Sequence, residues 1–120
     1  MKKGRKNTGG KYKASRKKKA YENQGKPRVA KLGEKKVKLI RTRSGKQKLV
    51  SLSHNKAHII AKGKAKVVSI KNVLETPANR FLARQNILIK GAIIETELGK
   101  AKITNRPSQE GTVQAVLIEG

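Results

Sequence analysis

The first residues with a capacity for chemistry are two cations followed by a small polar turn, Arg5-Lys6-Asn7-Thr8-Gly9-Gly10. Glycine has no Cβ, so its backbone can approach a ligand closely, and the amides together with the Thr8 hydroxyl can donate hydrogen bonds to a phosphate. Arg5 and Lys6 would add charge to that contact. Because the Gly-Lys-Ser/Thr ending of a nucleotide-binding loop is missing, the run predicts a phosphate contact of another kind.

The other candidate contacts are cations that could pair with phosphates of the same partner. Six follow the glycine pair: Lys11, Lys13, Arg16, Lys17, Lys18 and Lys19. Eight lie further along the chain: Arg41, Arg43, Lys46, Lys48, Arg80, Arg84, Lys90 and Arg106, the last of them in an expected loop at residues 105–111. Phosphates that neutralise the cluster at residues 16–19 could let a short helical turn form across residues 15–22.

The sequence gives little support for a catalytic or metal-binding site. His54 and His58 have the i,i+4 spacing of a metal-binding helix, but Asn55 stands where a zinc protease needs a glutamate. Ile59 and Ile60 favour a strand, on which the two histidines would share a face about 13 Å apart. The chain contains no cysteine and no arrangement of nucleophile, base and oxyanion donors. We expect no metal site, no cofactor and no enzymatic activity.

The charge is concentrated at one end. The chain has 31 Lys and Arg residues and a net charge of +24, and 20 of these cations lie in the first 48 residues. Only Glu22 and Glu34 oppose them there, which leaves +18 on this part and +6 on the rest. Such a segment repels itself and buries too little apolar surface to fold alone. We therefore predict that residues 1–32 form an extended basic arm that requires a polyanion.

Nucleic acid fits this charge better than a membrane does. A basic membrane-binding helix needs a bulky apolar stripe opposite its lysines, and residues 11–19 offer only Tyr12 and Ala14. No apolar run follows the basic start of the chain, so we expect a protein of the cytoplasm. Because the chain has two tyrosines, one phenylalanine and no tryptophan, recognition should depend on phosphates, 2′-hydroxyls and helix shape, as in folded RNA.

The part of the chain that follows the arm is predicted to be β-structure. Short aliphatic runs separated by Gly, Asn and Pro are typical of an all-β barrel or sandwich, and we expect residues 33–120 to form a mainly all-β domain, a small β-barrel of short antiparallel strands. The predicted strands cover residues 35–41, 48–53, 58–61, 65–71, 86–89, 92–96, 100–104 and 112–119.

One helix should interrupt the strands. Thr76 is a suitable N-cap, Pro77 suits the first helical position, and residues 78–85 propagate a helix. At 100° per residue Phe81 and Leu82 share a face that should dock on the barrel, while Arg80 and Arg84 point outward.

A Gly-Lys-x-Lys-aliphatic pattern occurs three times, beginning at Gly45, Gly63 and Gly99. Glycine supplies a turn, and the period of two then places both lysines on one strand face and the aliphatic residue on the other. Each copy predicts a hairpin with a cationic outer edge. The lysines could equally serve only to prevent strand-to-strand aggregation.

Two blocks of sequence resemble a known family. Arg5-x-x-Thr8-Gly9-Gly10, followed by Arg16-Lys17-Lys18 and Tyr21-Glu22, resembles the signature of the small-subunit ribosomal protein S8e family of archaea and eukaryotes. The stretch from Asn79-Arg80 to Lys100-Ala101 is similar to the same family over a long contiguous range. The compact length, without the large insertion of eukaryotic members, is most like an archaeal member.

The resemblance implies a structural constituent of the small ribosomal subunit. Its β-barrel would hold a basic arm between small-subunit rRNA helices, with neighbouring small-subunit proteins as further partners. Neither a small-molecule substrate nor a homo-oligomer is expected. From charge alone the main alternative is a DNA-compacting chromosomal protein, and an RNA-modifying enzyme would need a catalytic site that the sequence does not supply.

Overall fold

The computed structural model of the protein describes residues 4–118, which form nine β-strands and two short α-helices. The strands are β1 (Ala30–Leu32), β2 (Lys36–Arg41), β3 (Gln47–His54), β4 (Lys56–Ala61), β5 (Lys64–Glu75), β6 (Ile87–Leu88), β7 (Ile93–Thr96), β8 (Gly99–Ile103) and β9 (Gln114–Leu117). The helices are α1 (Arg80–Arg84) and α2 (Pro107–Glu110), and a single 3₁₀ turn covers Ala20–Glu22. No helix within residues 4–118 has the length and apolar character needed to cross a membrane.

Five strands close into a barrel in the order β4-β5-β7-β8-β9, which confirms the predicted all-β barrel. Closure depends on β5, whose 12 residues pair first with β4 and then with β7. Register shifts between Ile70 and Asn72 and between Val73 and Glu75 bend this strand around the barrel. The last seam joins β4 to β9 in parallel, a departure from the antiparallel pairing that we predicted throughout.

The barrel interior is aliphatic and narrow. Large and small residues alternate along the strands, as in Ala57 and Ile59 of β4 and Ala101 and Ile103 of β8, all at most 1% exposed. The alternation in β5 shifts from an interval of two, Val68 to Ile70, to an interval of three at Val73, because the bulge inserts one residue. No aromatic side chain belongs to this core within residues 4–118.

The remaining strands form a separate four-stranded sheet in the order β2-β3-β1-β6. The sequence patterns did not predict this division, nor strand β1, which lies inside the range expected to be extended arm. β1 pairs in parallel with β3 and antiparallel with β6, and its Ala30 is completely buried. The short strand thus connects β3 of the β2–β3 hairpin to β6.

All eight predicted strands are present, with ends that differ by up to four residues. The predicted helix is also present but shorter: it begins at Arg80, and its N-cap is Asn79 instead of Thr76. The docking of Phe81 on the barrel was wrong, because its ring is 56% exposed. A second helix, α2, replaces the loop expected at residues 105–111; Pro107 begins it, and Gly111 ends it with a φ of 76°.

We expect that Ile59→Ala lowers the free energy of unfolding by about 2–5 kcal/mol, because it leaves a cavity in a barrel with little volume to spare. Its neighbour Ile60, 57% exposed on the outside of the same strand, is the matched control. Ile60→Ala should change stability by less than about 0.5 kcal/mol. Urea unfolding followed by circular dichroism measures both, and equal losses would show that the assignment of inner and outer faces is incorrect.

Candidate nucleic-acid interface

The Arg5–Gly10 segment folds into a closed loop. The Lys6 amide donates to the Gly10 carbonyl at 3.0 Å and the Gly9 amide to the Lys6 carbonyl at 2.9 Å. The Arg5 guanidinium donates to the Gly9 carbonyl at 3.0 Å, and Gly9 adopts a φ of 80°. Arg5 also forms an isolated antiparallel bridge with Lys11. The loop therefore holds its cations beside one turn, and within residues 4–118 the amide of Gly10 and the hydroxyl of Thr8 donate to no protein acceptor.

The second cluster of the arm, residues 16–19, precedes the 3₁₀ turn. Arg16 pairs with Glu22 through two hydrogen bonds, Nη2 to Oε1 at 2.5 Å and Nη1 to Oε2 at 2.8 Å. The Lys19 amide also donates to Glu22 at 3.0 Å. The Arg16 guanidinium lowers the pKa of the Glu22 carboxyl, and the carboxylate raises the pKa of Arg16. This pair holds the 3₁₀ turn at Ala20–Glu22, while residues 15–19 are not helical. The phosphate-dependent turn across residues 15–22 stays a prediction.

A third group of cations surrounds the tip of the β2–β3 hairpin. The Thr42 amide donates to the Lys46 carbonyl at 2.7 Å, and Gly45 closes the turn with a φ of 82°. Arg41, Arg43 and Lys46 are all exposed around this tip. Gly63 has a φ of 76° in the β4–β5 connection, and Gly99 begins β8 with a φ of 119°, so all three predicted hairpins are confirmed.

The cationic edge differs among the three copies. In β8 the expected faces are confirmed, since Lys100 and Lys102 are exposed and Ile103 is buried. In β3 the faces are reversed: Leu49 is exposed, and Lys48 is half-buried and donates a hydrogen bond to Gln109 of α2. Because α2 covers this part of β3, Lys48 is a structural contact in the body, while Arg106 at the start of α2 stays exposed.

The fourth group lies on α1 and after β6. The Asn79 side chain accepts from the Phe81 amide at 3.1 Å, while buried Thr76 donates to the Asn79 carbonyl and accepts from the Ala83 amide at 3.1 Å. Arg80, Phe81 and Arg84 are exposed on the helix fixed in this way. Lys90 is also exposed, in the turn that follows β6.

Almost all of this charge is unneutralised. Within residues 4–118, Arg16–Glu22 is the only ion pair. The predicted contact residues outside that pair are exposed, except for half-buried Lys48. Among the described residues, 4–118, every hydrogen bond made by residues 4–29 has both partners in that segment, so the described body does not occupy the cations of the arm. This surface can bind several phosphates at once, and it carries no group positioned for acid–base catalysis.

The two histidines do not share a strand, so their predicted arrangement was wrong. His54 ends β3 and is buried, whereas His58 lies exposed in β4 beyond the break at Asn55. Burial, and secondarily the charge of Lys35, lowers the pKa of His54 and favours its neutral form. No cluster of three or more metal-ligating side chains occurs in residues 4–118.

An apolar patch lies on the outside of the barrel, where β4 pairs with β9. Ile60 is the register partner of Val116, and these side chains are 57% and 44% exposed. They line an open cavity together with Leu98 and three lysines, Lys62, Lys64 and Lys66. None of these six residues was predicted from the sequence as a site residue.

The amino-acid sequence is similar to those of ribosomal proteins. The model of the family described as ribosomal protein S8e matches residues 1–118. A small ribosomal subunit protein eS8 of Methanocorpusculum labreanum is 46% identical over 117 residues, covering 96% of this chain and 94% of the relative. The eS8 proteins of Nanoarchaeum equitans and Halorubrum lacusprofundi are 43% and 40% identical, covering 93% and 96% of this chain and 90% and 94% of those relatives.

Proposed function

Because the chain belongs to the ribosomal protein S8e family, we propose that it stabilises folded rRNA within the small ribosomal subunit. The resemblance found in residues 5–22 and 79–101 is thereby confirmed. The chain has a structural role in the ribosome and is not an enzyme. The observation that carries the rRNA proposal is the set of exposed cations without an acidic partner in residues 4–118.

In this proposal the arm is the main contact with RNA. The loop at Arg5–Gly10 presents two cations, the Thr8 hydroxyl and the Gly10 amide to one phosphate group, as charged and neutral donors often do together. The cations at residues 17–19 neutralise phosphates of adjacent strands. Arg16 is shared between Glu22 and RNA, so it contributes less charge than its neighbours.

The body fixes where the arm enters the RNA and adds contacts of its own. The tip of the β2–β3 hairpin, the exposed face of α1, Lys90 and Arg106 project from rigid elements, so they can recognise the spacing of phosphates in a folded helix. Lys48 does not belong to this set because α2 already binds it.

The apolar patch at Ile60 and Val116 suits a protein neighbour better than RNA. Aliphatic side chains gain free energy by burial against other apolar groups, and the lysines around the patch favour a segment that also carries Asp or Glu. We assign this patch to a neighbouring small-subunit protein.

The proposal is tested by sedimentation and crosslinking of the intact, tagged chain. We expect the chain to sediment with small ribosomal subunits in a sucrose gradient. Within those subunits, the arm and the β2–β3 tip should crosslink to rRNA and the Ile60–Val116 patch to protein. Sedimentation with the nucleoid and crosslinks to DNA would instead support the DNA-compacting alternative, which the charge alone permits.

A further inference from the structure

Phe81 is exposed where a phenylalanine would ordinarily be buried. It is the only phenylalanine of the chain, and its ring is 56% exposed on α1. Leu82 and Ala83 supply the half-buried side of the helix, and Ala83 packs against the core. The barrel core is complete without the ring, so the ring is free to contact a partner outside the folded chain.

The ring is held in a defined position. Asn79 caps α1 through the Phe81 amide itself, and Thr76 bonds both the Asn79 carbonyl and the Ala83 amide. Thr76 is 1% exposed, so this support is anchored in the body. A rigid aromatic ring loses little conformational entropy when a ligand stacks on it.

Two guanidinium groups accompany the ring. The centre of the Arg80 guanidinium lies 5.4 Å from the ring centroid, the distance of a cation–π contact. Arg84 follows on the same side, and the three residues line a cavity of about 280 Å³. No acidic side chain lines this cavity.

We propose that Arg80, Phe81 and Arg84 form a stacking site for one unpaired base of the RNA. The base would lie against the Phe81 ring, while the two arginines bind the phosphates on either side of it, the usual division of roles where proteins recognise unpaired nucleotides. An acidic peptide is less suited, because a flat ring that shares a cavity with two planar guanidiniums matches a nucleobase and its phosphates. This inference rests on the proposed function, and it adds local recognition of an unpaired nucleotide to the phosphate and shape recognition expected from the sequence.

The test compares Phe81→Leu and Phe81→Trp in the full-length chain, with purified small-subunit rRNA as the probe. Phe81→Leu should weaken binding by roughly 5- to 150-fold, the range that corresponds to losing one stacked base. Phe81→Trp should retain the affinity. The salt dependence of binding should be the same for Phe81→Leu and the unmodified chain, since no phosphate contact is removed. Unchanged thermal unfolding would confirm that the exposed ring is not needed for folding.

A photocrosslinker at the same position decides which macromolecule occupies the site. With p-benzoylphenylalanine in place of Phe81, reconstituted subunits should give a crosslink to an unpaired rRNA nucleotide. A crosslink to protein, a crosslink only to paired nucleotides, or full rRNA affinity of Phe81→Leu would overturn the stacking site. Those results would leave the proposed function intact, whereas failure of the unmodified chain to bind rRNA would overturn the proposed function itself.

Discussion

Raising the salt concentration from 50 to 200 mM should weaken binding of the chain to small-subunit rRNA by roughly 10³- to 10⁵-fold, by analogy with DNA. The range corresponds to six to ten phosphates, each of which releases condensed counterions when a cation neutralises it. The structure provides this number readily, since its exposed cations have only one acidic partner in residues 4–118. Filter binding across a salt series measures the slope of log affinity against log salt.

Single substitutions make the salt prediction specific to named residues. Arg43→Gln at the exposed hairpin tip should reduce the slope by about 1, the value for one lost phosphate contact. Lys48→Gln is the matched control. It removes a charge only five residues away in the sequence, but from a half-buried side chain that is hydrogen-bonded to Gln109. It should leave the slope unchanged. Binding that hardly varies with salt, or equal effects of the two substitutions, would contradict phosphate neutralisation by the exposed cations.

The sequence was sufficient to predict all strands except β1 and most of the exposed cations. Alternating or continuous aliphatic runs identify a strand locally, and the glycine of each Gly-Lys-x-Lys copy adopts the positive φ that its hairpin requires. The cations were predictable because a lysine or arginine is exposed unless something specific covers it. Lys48 is the exception, because it is covered by α2, a helix of four residues that was predicted as a loop.

The missed features depend on contacts distant in sequence, although some left local signals. Pro107 and Gly111 mark the start and end of α2 by the usual preference for proline early and glycine after a helix. Strand β1 has no such signal: three residues with one lysine form a strand only because β3 and β6 offer edges on both sides. The exposure of Phe81 follows from a helix that begins three residues later than predicted and buries a different face.

Removing residues 1–29 should abolish incorporation into small subunits and leave the body folded. The deletion takes away 12 Lys and Arg residues and Glu22, so the net charge falls from +24 to +13. It stops before Ala30, the first residue of β1, and in the part of the chain that the structure describes every hydrogen bond of residues 4–29 is internal to that segment. Circular dichroism and thermal unfolding should match those of the full chain, while sucrose gradients of cell extracts should show the truncated chain outside the subunit peak.

Deleting residues 1–32 should have a second, separate effect. We propose that the arm ends at Val29 and not at residue 32, because Ala30 and Leu32 pack in the core and β1 links β3 to β6. Losing β1 should lower the free energy of unfolding by about 2–5 kcal/mol, as for a large buried side chain. A full-length chain with residues 16–19 changed to Gln separates charge from length: it should remain stable yet incorporate poorly. Normal incorporation of the 1–29 deletion, or equal stability of the two deletions, would contradict this division between an RNA-binding arm and a body that includes β1.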